Sequence, residues 1–211
     1  MKKILLLFTL TLLNLTYVNS QTNQIEPNST YKEIDSQNNI VELLNNEKEN
    51  VRIETVNNIL SNPNNYNPPV LYALSKELFE ENKKDEAMYW FYIAQLRARY
   101  DSNLCLDASA KQGVGILNGT YGPNINEYAF NDVDKLELTV NKVVDFVKKN
   151  EENYDHRWLN LHGMGAIINS MDKTAETPEM IEPKDKWTAI KKKTIDDYYN
   201  GFIEFVKSKK K

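Results

Sequence analysis

Residues 68–100 read PPVLYALSKELFEENKKDEAMYWFYIAQLRARY, and this stretch decides the fold class. Leu71, Leu74 and Leu78 recur at spacings of three and four, which lines them along one face of an α-helix. Pro68 and Pro69 suit the first turn of that helix, where a missing amide hydrogen leaves no helical bond unmade. Asn82, Lys83 and Lys84 form a short polar turn, and Asp85 is placed to cap the helix that follows. The second helix sets Ala87, Phe91, Ala94 and Ala98 along one face, with Met88, Tyr92 and Leu96 alongside. Two helices joined by about three residues make an antiparallel hairpin. The small Ala positions let the two backbones approach closely.

Ala87, Phe91 and Ala94 follow the small–aromatic–small spacing of the second helix in tetratricopeptide-type and Sel-like repeats. Leu71, Leu74 and Leu78 fall where the first helix of such a unit carries its large apolar residues. Residues 68–100 therefore resemble one repeat of this kind. Two positions depart from the pattern: Ser75 replaces the Gly that follows the first-helix Leu, and Arg99 stands where Pro ends the unit. No second copy recurs at a period of about 34 to 40 residues, whereas a solenoid needs about three repeats. The resemblance implies one repeat-like hairpin inside a larger helical domain, and a domain that binds a protein or peptide partner.

Working outward, SNPNNYNPP at 61–69 is a loop by composition. Asp107 is placed to cap a short helix through Ala108, Ala110, Val114 and Leu117, which Gly119 and Tyr121-Gly122-Pro123 should end. Asn131 or Asp132 starts an amphipathic helix with Val133, Leu136, Val140, Val143, Val144 and Val147 on one side. Pro183 and Asp185 open a long helix whose stripe runs Trp187, Ile190, Tyr198, Phe202, Phe205 and Val206, and its Lys-rich end complements the helix dipole. Residues 169–180 read as a loop. No alternating run of strand length occurs. The fold class is all-α, either a helical-hairpin array or an irregular bundle with one repeat-like helix pair.

The chain has 211 residues, 26 basic and 30 acidic side chains, 41% apolar content, seven Gly, seven Pro and one Cys. These values exclude collagen-like, mucin-like and disulfide-rich classes. Lys2 and Lys3 form a positive n-region before an apolar stretch from Ile4 to Leu15, broken only by Thr9, Thr11 and Asn14. Val18 and Ser20 then precede Gln21 as a signal-peptidase site would require. The stretch is too short for a transmembrane helix of about 20 apolar residues, and no Cys follows it as a lipoprotein signal would need. The expected division is a signal peptide at 1–20, a flexible tail at 21–32 and a single helical domain at 33–211. Cleavage leaves 24 basic against 30 acidic side chains, a net charge of −6. Such a chain is no dedicated nucleic-acid binder. The expected location is periplasmic or secreted, with no stable membrane insertion after cleavage.

In an exported chain, Cys105 has no intramolecular disulfide partner, and Leu104, Leu106 and Ala108 around it suggest a small buried side chain. The most chemically loaded stretch is NYDHRWLNLHGMG at 153–165, which holds both His, Arg157 and Trp158. Read as an α-helix, it puts Asp155, Trp158 and His162 on one face and turns His156 about 240° away from His162. Two readings compete. Trp158, Leu159 and Leu161 pack in the core while His156 and Arg157 bond carbonyls and carboxylates at its edge, or Asp155 orients His162 as a base. Two His are too few for a zinc site and their spacing fits no zinc motif. A second polar cluster, Arg97, Arg99, Tyr100 and Asp101, ends the repeat-like hairpin, with Asp107, Glu127 or Asp155 as the expected internal partners of its arginines. Tyr89-Trp90-Phe91-Tyr92 cannot all face one core, which leaves Tyr89 or Trp90 for a groove or for burial under flanking helices.

No phosphate loop, dinucleotide fingerprint, nucleophile elbow, HExxH or CxxC occurs in the sequence. No cofactor and no metal are expected, and no residue is singled out as catalytic. The reading favoured by the sequence is an exported non-catalytic helical domain that binds a protein or peptide partner outside the cytoplasm, as an inhibitor, an immunity protein or an envelope scaffold. Its candidate contact residues are Tyr89, Trp90, Arg97, Arg99, Asp155, His156, Arg157 and His162. The alternative is a cell-envelope hydrolase using Asp155 and His162.

Overall fold

The computed structural model describes residues 32–163 and 180–209. The signal peptide and most of the tail expected from the sequence lie outside this range, as does the 169–180 loop apart from Met180. Among the described residues seven α-helices follow in order: α1 (Lys32–Leu44), α2 (Glu49–Ser61), α3 (Pro68–Glu80), α4 (Lys84–Leu104), α5 (Gln112–Phe130), α6 (Val133–Lys149) and α7 (Lys184–Lys209). Two 3-10 helices join them, at Pro63–Asn65 and His156–His162. Among the described residues there is no strand, only an isolated antiparallel bridge between Cys105 and Ile181. The all-α expectation holds.

Short connections fold the first six helices into three successive hairpins, α1–α2, α3–α4 and α5–α6. The first helices of the hairpins lie side by side, α1 on α3 and α3 on α5, while α4 packs on α6. α7 lies across α4 and α6. Helix α4 is thus the centre of the domain, touched by α3, α5, α6, α7 and the second 3-10 helix. Its polar residues Arg97 and Asp101 are consequently as buried as its apolar ones.

The central hairpin is built as its sequence prescribes. The side chain of Asn67 accepts a bond from the Val70 amide and caps α3 ahead of Pro68 and Pro69. At the other end, Asn82 adopts a left-handed φ of 63°. Its amide bonds the Phe79 carbonyl and the Lys83 amide bonds the Leu78 carbonyl, the paired closure of a Schellman turn. Asp85 does not cap α4, contrary to the expectation. Lys83 occupies that position without a side-chain bond, and Asp85 binds the Tyr128 hydroxyl at 2.6 Å and Lys135 at 3.0 Å. Ala87, Phe91, Ala94 and Ala98 are fully buried.

The expected short helix after Asp107 is corrected most strongly. Asp107 instead organises a turn by accepting from the Ser109 amide and hydroxyl. Helix α5 then runs 19 residues, straight through Gly113, Gly115, Gly119, Gly122 and Pro123. Tertiary packing overrides propensity here. A Cβ at Gly113 would lie 2.9 Å from the Leu159 side chain, and one at Gly122 would lie 3.1 Å from the Phe91 ring. These glycines mark close approaches rather than breaks. Pro123 is on the exposed side of the helix, as is Gly119, whose carbonyl a proline cannot bond.

Helix α6 starts as expected, with Asp132 accepting from the Lys135 amide, and buries Leu136, Val140, Val143, Val144 and Val147. In α7, Phe205 is 36% exposed and rests on Phe130, while Thr194 and Ile195 are buried in its place. Helices α1 and α2 are the elements that the periodicity upstream of Pro68 did not show, and Lys32, assigned to the tail, is the first residue of α1. Ile34, Leu44, Val56 and Ile59 supply their contribution to the core.

Candidate functional site

Three of the polar residues singled out in the sequence, Arg97, Asp101 and His156, come together on one buried face of α4. Asp101 is fully buried, and its carboxylate takes three side-chain donors from a single short segment. The Tyr154 hydroxyl donates to Oδ2 at 3.1 Å, Trp158 Nε1 donates to Oδ2 at 2.6 Å, and His156 Nδ1 lies 2.6 Å from Oδ1. The imidazole is enclosed by the rings of Tyr100, Tyr154 and Trp187, with centroids 5.4, 4.8 and 5.0 Å away. Burial acts to lower the His156 pKa, and the Asp101 carboxylate overcomes it, so the net shift is upward. Burial beside Asp101 pushes the Tyr154 hydroxyl well up, which keeps it a neutral donor.

One turn earlier on α4, Arg97 is fully buried. It donates to the Pro63 carbonyl at 3.1 Å and to Asn64 Oδ1 at 2.6 Å, and it lies over the Phe146 ring. Its Nε is 3.6 Å from Glu152 Oε1, an ion pair too long for a hydrogen bond. Lys191 of α7 binds the other oxygen of Glu152 at 2.6 Å. Arg97 therefore does not pair with Asp107, Glu127 or Asp155 as expected, because those residues are off its face while Glu152 and the Asn-rich loop are on it. Arg99 points outward and places its guanidinium over the Tyr198 ring, 5.5 Å from the centroid.

The segment carrying both His is a 3-10 helix and not an α-helix, so the face shared by Asp155 and His162 in the α-helical reading does not form. Asp155 is its N-cap, accepting from the Arg157 amide and from the Arg157 guanidinium at 2.6 to 3.1 Å. Burial opposes ionisation of Asp155, and the Arg157 hydrogen bonds outweigh it and hold the carboxyl below its usual range. His162 is exposed, edge-on to Trp158, and partial burial lowers its pKa. Asp155 and His162 are not brought together, and Glu127 lies exposed on α5. Trp158 and Leu159 are buried while His156 and Arg157 bond carboxylates, which is the structural reading of this segment.

Among the eight candidate contact residues, Trp90, Arg97 and His156 are inside the domain. Tyr89 is half-buried, and both it and Trp90 stack edge-on against Phe146 of α6, which resolves the crowding of the aromatic run. Arg99 and His162 are exposed, with Asp155 and Arg157 half-buried. Cys105 is buried, its Sγ 3.0 Å from Asn160 Oδ1, and burial pushes the thiol pKa up. Sequence reasoning missed Glu152, Tyr154, Asn160 and Lys191, whose roles depend on contacts between distant segments. It also missed a polar cleft of about 410 Å³ between the α1–α2 turn and α3, lined by Leu44, Arg52, Lys76, Glu77 and neighbours. In that cleft Arg52 binds Glu77 at 2.6 Å and the Asn46 carbonyl at 2.8 Å, so its charge is held by the domain itself.

The outer side of α5 carries no charged residue from Gln112 to Asn126, and it exposes Ile116 at 68% beside Thr120, Pro123 and Asn124. Among the described residues no group of three or more His, Cys, Asp or Glu is placed to hold a metal, and no helix is long and apolar enough to cross a membrane. No family model, curated protein or solved structure matches the chain.

Proposed function

We propose that the protein is an exported, non-catalytic helical domain that binds a protein or peptide partner outside the cytoplasm, as an inhibitor, an immunity protein or an envelope scaffold. The observation that carries this reading is the uncharged outer face of α5 around Ile116, in a chain of which 27% is charged. Exposed apolar surface with few charges is the kind that a protein partner covers. The stacked hairpins support the same reading, since stacked helix pairs build extended binding surfaces, and so does the resemblance of residues 68–100 to a tetratricopeptide-type repeat. Of the pair that a hydrolase would use, Asp155 is engaged by Arg157, and His162 stacks edge-on to Trp158 without meeting it.

The test is capture with crosslinking from the extracytoplasmic fraction, followed by reconstitution with the captured protein. Ile116→Asp should abolish the reconstituted complex without moving the melting temperature. A complex that forms equally well with Ile116→Asp would remove the α5 face from the account. Turnover of cell-envelope material that disappears in a folded Asp155→Asn, His162→Ala variant would replace binding with hydrolysis.

A further inference from the structure

We propose that residues 153–162 form a proton-sensitive strap, fastened to α4 through the one carboxylate of Asp101, whose release uncovers the chain's only thiol. Asn153 and the Asp155 amide hold the start of the strap on Asn64, Asn65 and Glu33, and the geometry points to Asp101 as the latch because the side chains that follow meet α4 at that one residue. Three side chains of the strap, Tyr154, His156 and Trp158, meet the two oxygens of Asp101. The next anchor along is Asn160, whose Oδ1 sits on Cys105 Sγ. A seven-residue 3-10 helix has poor internal hydrogen-bond geometry, so it keeps its place by these tertiary contacts rather than by its own backbone.

The charges around His156 come from three elements. α4 contributes Asp101, Tyr100 and, one turn back, Arg97; the strap and its lead-in contribute Glu152, Tyr154 and Asp155; α7 contributes Trp187 and Lys191. Arg97 and Lys191 are both directed at Glu152, and Arg157 is directed at Asp155. When protonated, His156 is therefore the cation that faces Asp101. When the imidazolium loses its proton, a buried carboxylate is left with neutral donors only, and burying it becomes less favourable. His156 titrates above its ordinary value in the folded chain. Its contribution is accordingly complete below about pH 6.5, the unfolded value, and is lost as pH rises through the folded value. The strap is latched in acid and loosens toward alkaline pH.

Cys105 reports the latch directly. The rate of alkylation by iodoacetamide is measured in the folded chain and divided by the rate for the same chain in urea; the buried thiol reacts through the opened strap, where it is exposed as it is in urea, so the ratio reports the opening. Between pH 6 and pH 9 this ratio should rise several-fold in the wild type. In His156→Gln, which keeps a neutral donor, it should be flat and sit near the alkaline wild-type value. A ratio independent of pH in the wild type, or an equal rise in His156→Gln, would overturn the proposal. Hydrogen exchange on the wild type alone gives a second measurement should the variant fail to fold. Protection at 154–162 should fall with pH relative to intrinsic exchange while that of α3 stays constant, and a parallel fall in α3 would mean global unfolding instead of a strap.

Discussion

The guanidinium of Arg97 donates to Oδ1 of Asn64 at 2.6 Å, so the Asn-rich loop before α3 is fastened to the middle of the central helix. The loop is held from the other side as well, by Gln37 of α1, whose amide donates to the Asn65 carbonyl and whose carbonyl oxygen accepts from the Asn67 amide. A stretch that is polar by composition is thereby a structural joint between α1, α3 and α4.

Arg97→Met tests that joint. It strands Glu152 with Lys191 as its only cation and leaves the Pro63 carbonyl and Asn64 without their donor. Breaking one partner of a buried pair costs about 3 kcal/mol, whereas Asn64→Ala, which removes the bond from Arg97 and a longer one to Asn150, should cost about 1–2 kcal/mol. Urea midpoints of the two variants check the order, and an Arg97→Met chain as stable as wild type would contradict it.

Ala94 is fully buried at the packed face of α4. Ala94→Leu should overpack that contact at a cost of about 1–3 kcal/mol. An unchanged denaturation midpoint would mean that α4 does not pack as described.

The glycines of α5 should split by sign. Nothing lies within 4 Å of a Cβ built on Gly115, so Gly115→Ala gains helix propensity and should stabilise the domain by about 1 kcal/mol. Gly113→Ala should destabilise it, because its Cβ meets Leu159 at 2.9 Å. Thermal melts of the pair settle the matter, and two shifts of the same sign would count against the packing of α5 on the strap.

Asp155 sets an acid limit. Its folded pKa is lowered, so its stabilising pairing with Arg157 is complete above the unfolded value of about 3.9 and is lost as pH falls through the folded one. Wild type should therefore exceed Asp155→Asn in stability at pH 6, and the difference should shrink steadily below pH 4. A gap that stays constant down to the acid transition would show that the charge of Asp155 contributes nothing.

Much of this architecture is legible in the sequence, and the failures have physical causes. The central hairpin, α6 and α7 announce themselves because their buried faces repeat every three or four residues, as with Leu71, Leu74 and Leu78. Helix α5 hides because its glycines and Pro123 oppose helix formation locally, and the contacts of Gly113 with Leu159 and of Gly122 with Phe91 are visible only in three dimensions. α1 and α2 hide because their buried faces are sparse and part polar: Gln37 and Thr55 are buried beside Ile34 and Val56. At the polar centre, the residue types were informative and the pairings were not. Asp101 and His156 lie 55 positions apart, and no spacing rule connects them. The α-helical reading of 155–162 fails because the bonds to Asp101 outweigh the regular helix that its composition allows.

The measurement closest to the central claim uses the two residues on which a hydrolase would depend. In the double variant Asp155→Asn, His162→Ala, the Asn can still cap the strap and the exposed imidazole leaves without creating a cavity, so the domain should stay folded. Partner binding, measured by titration calorimetry with the captured protein, should be nearly intact, and any envelope-degrading activity should be absent from variant and wild type alike. A folded double variant that loses a wild-type hydrolytic activity by about 100-fold or more would contradict the account.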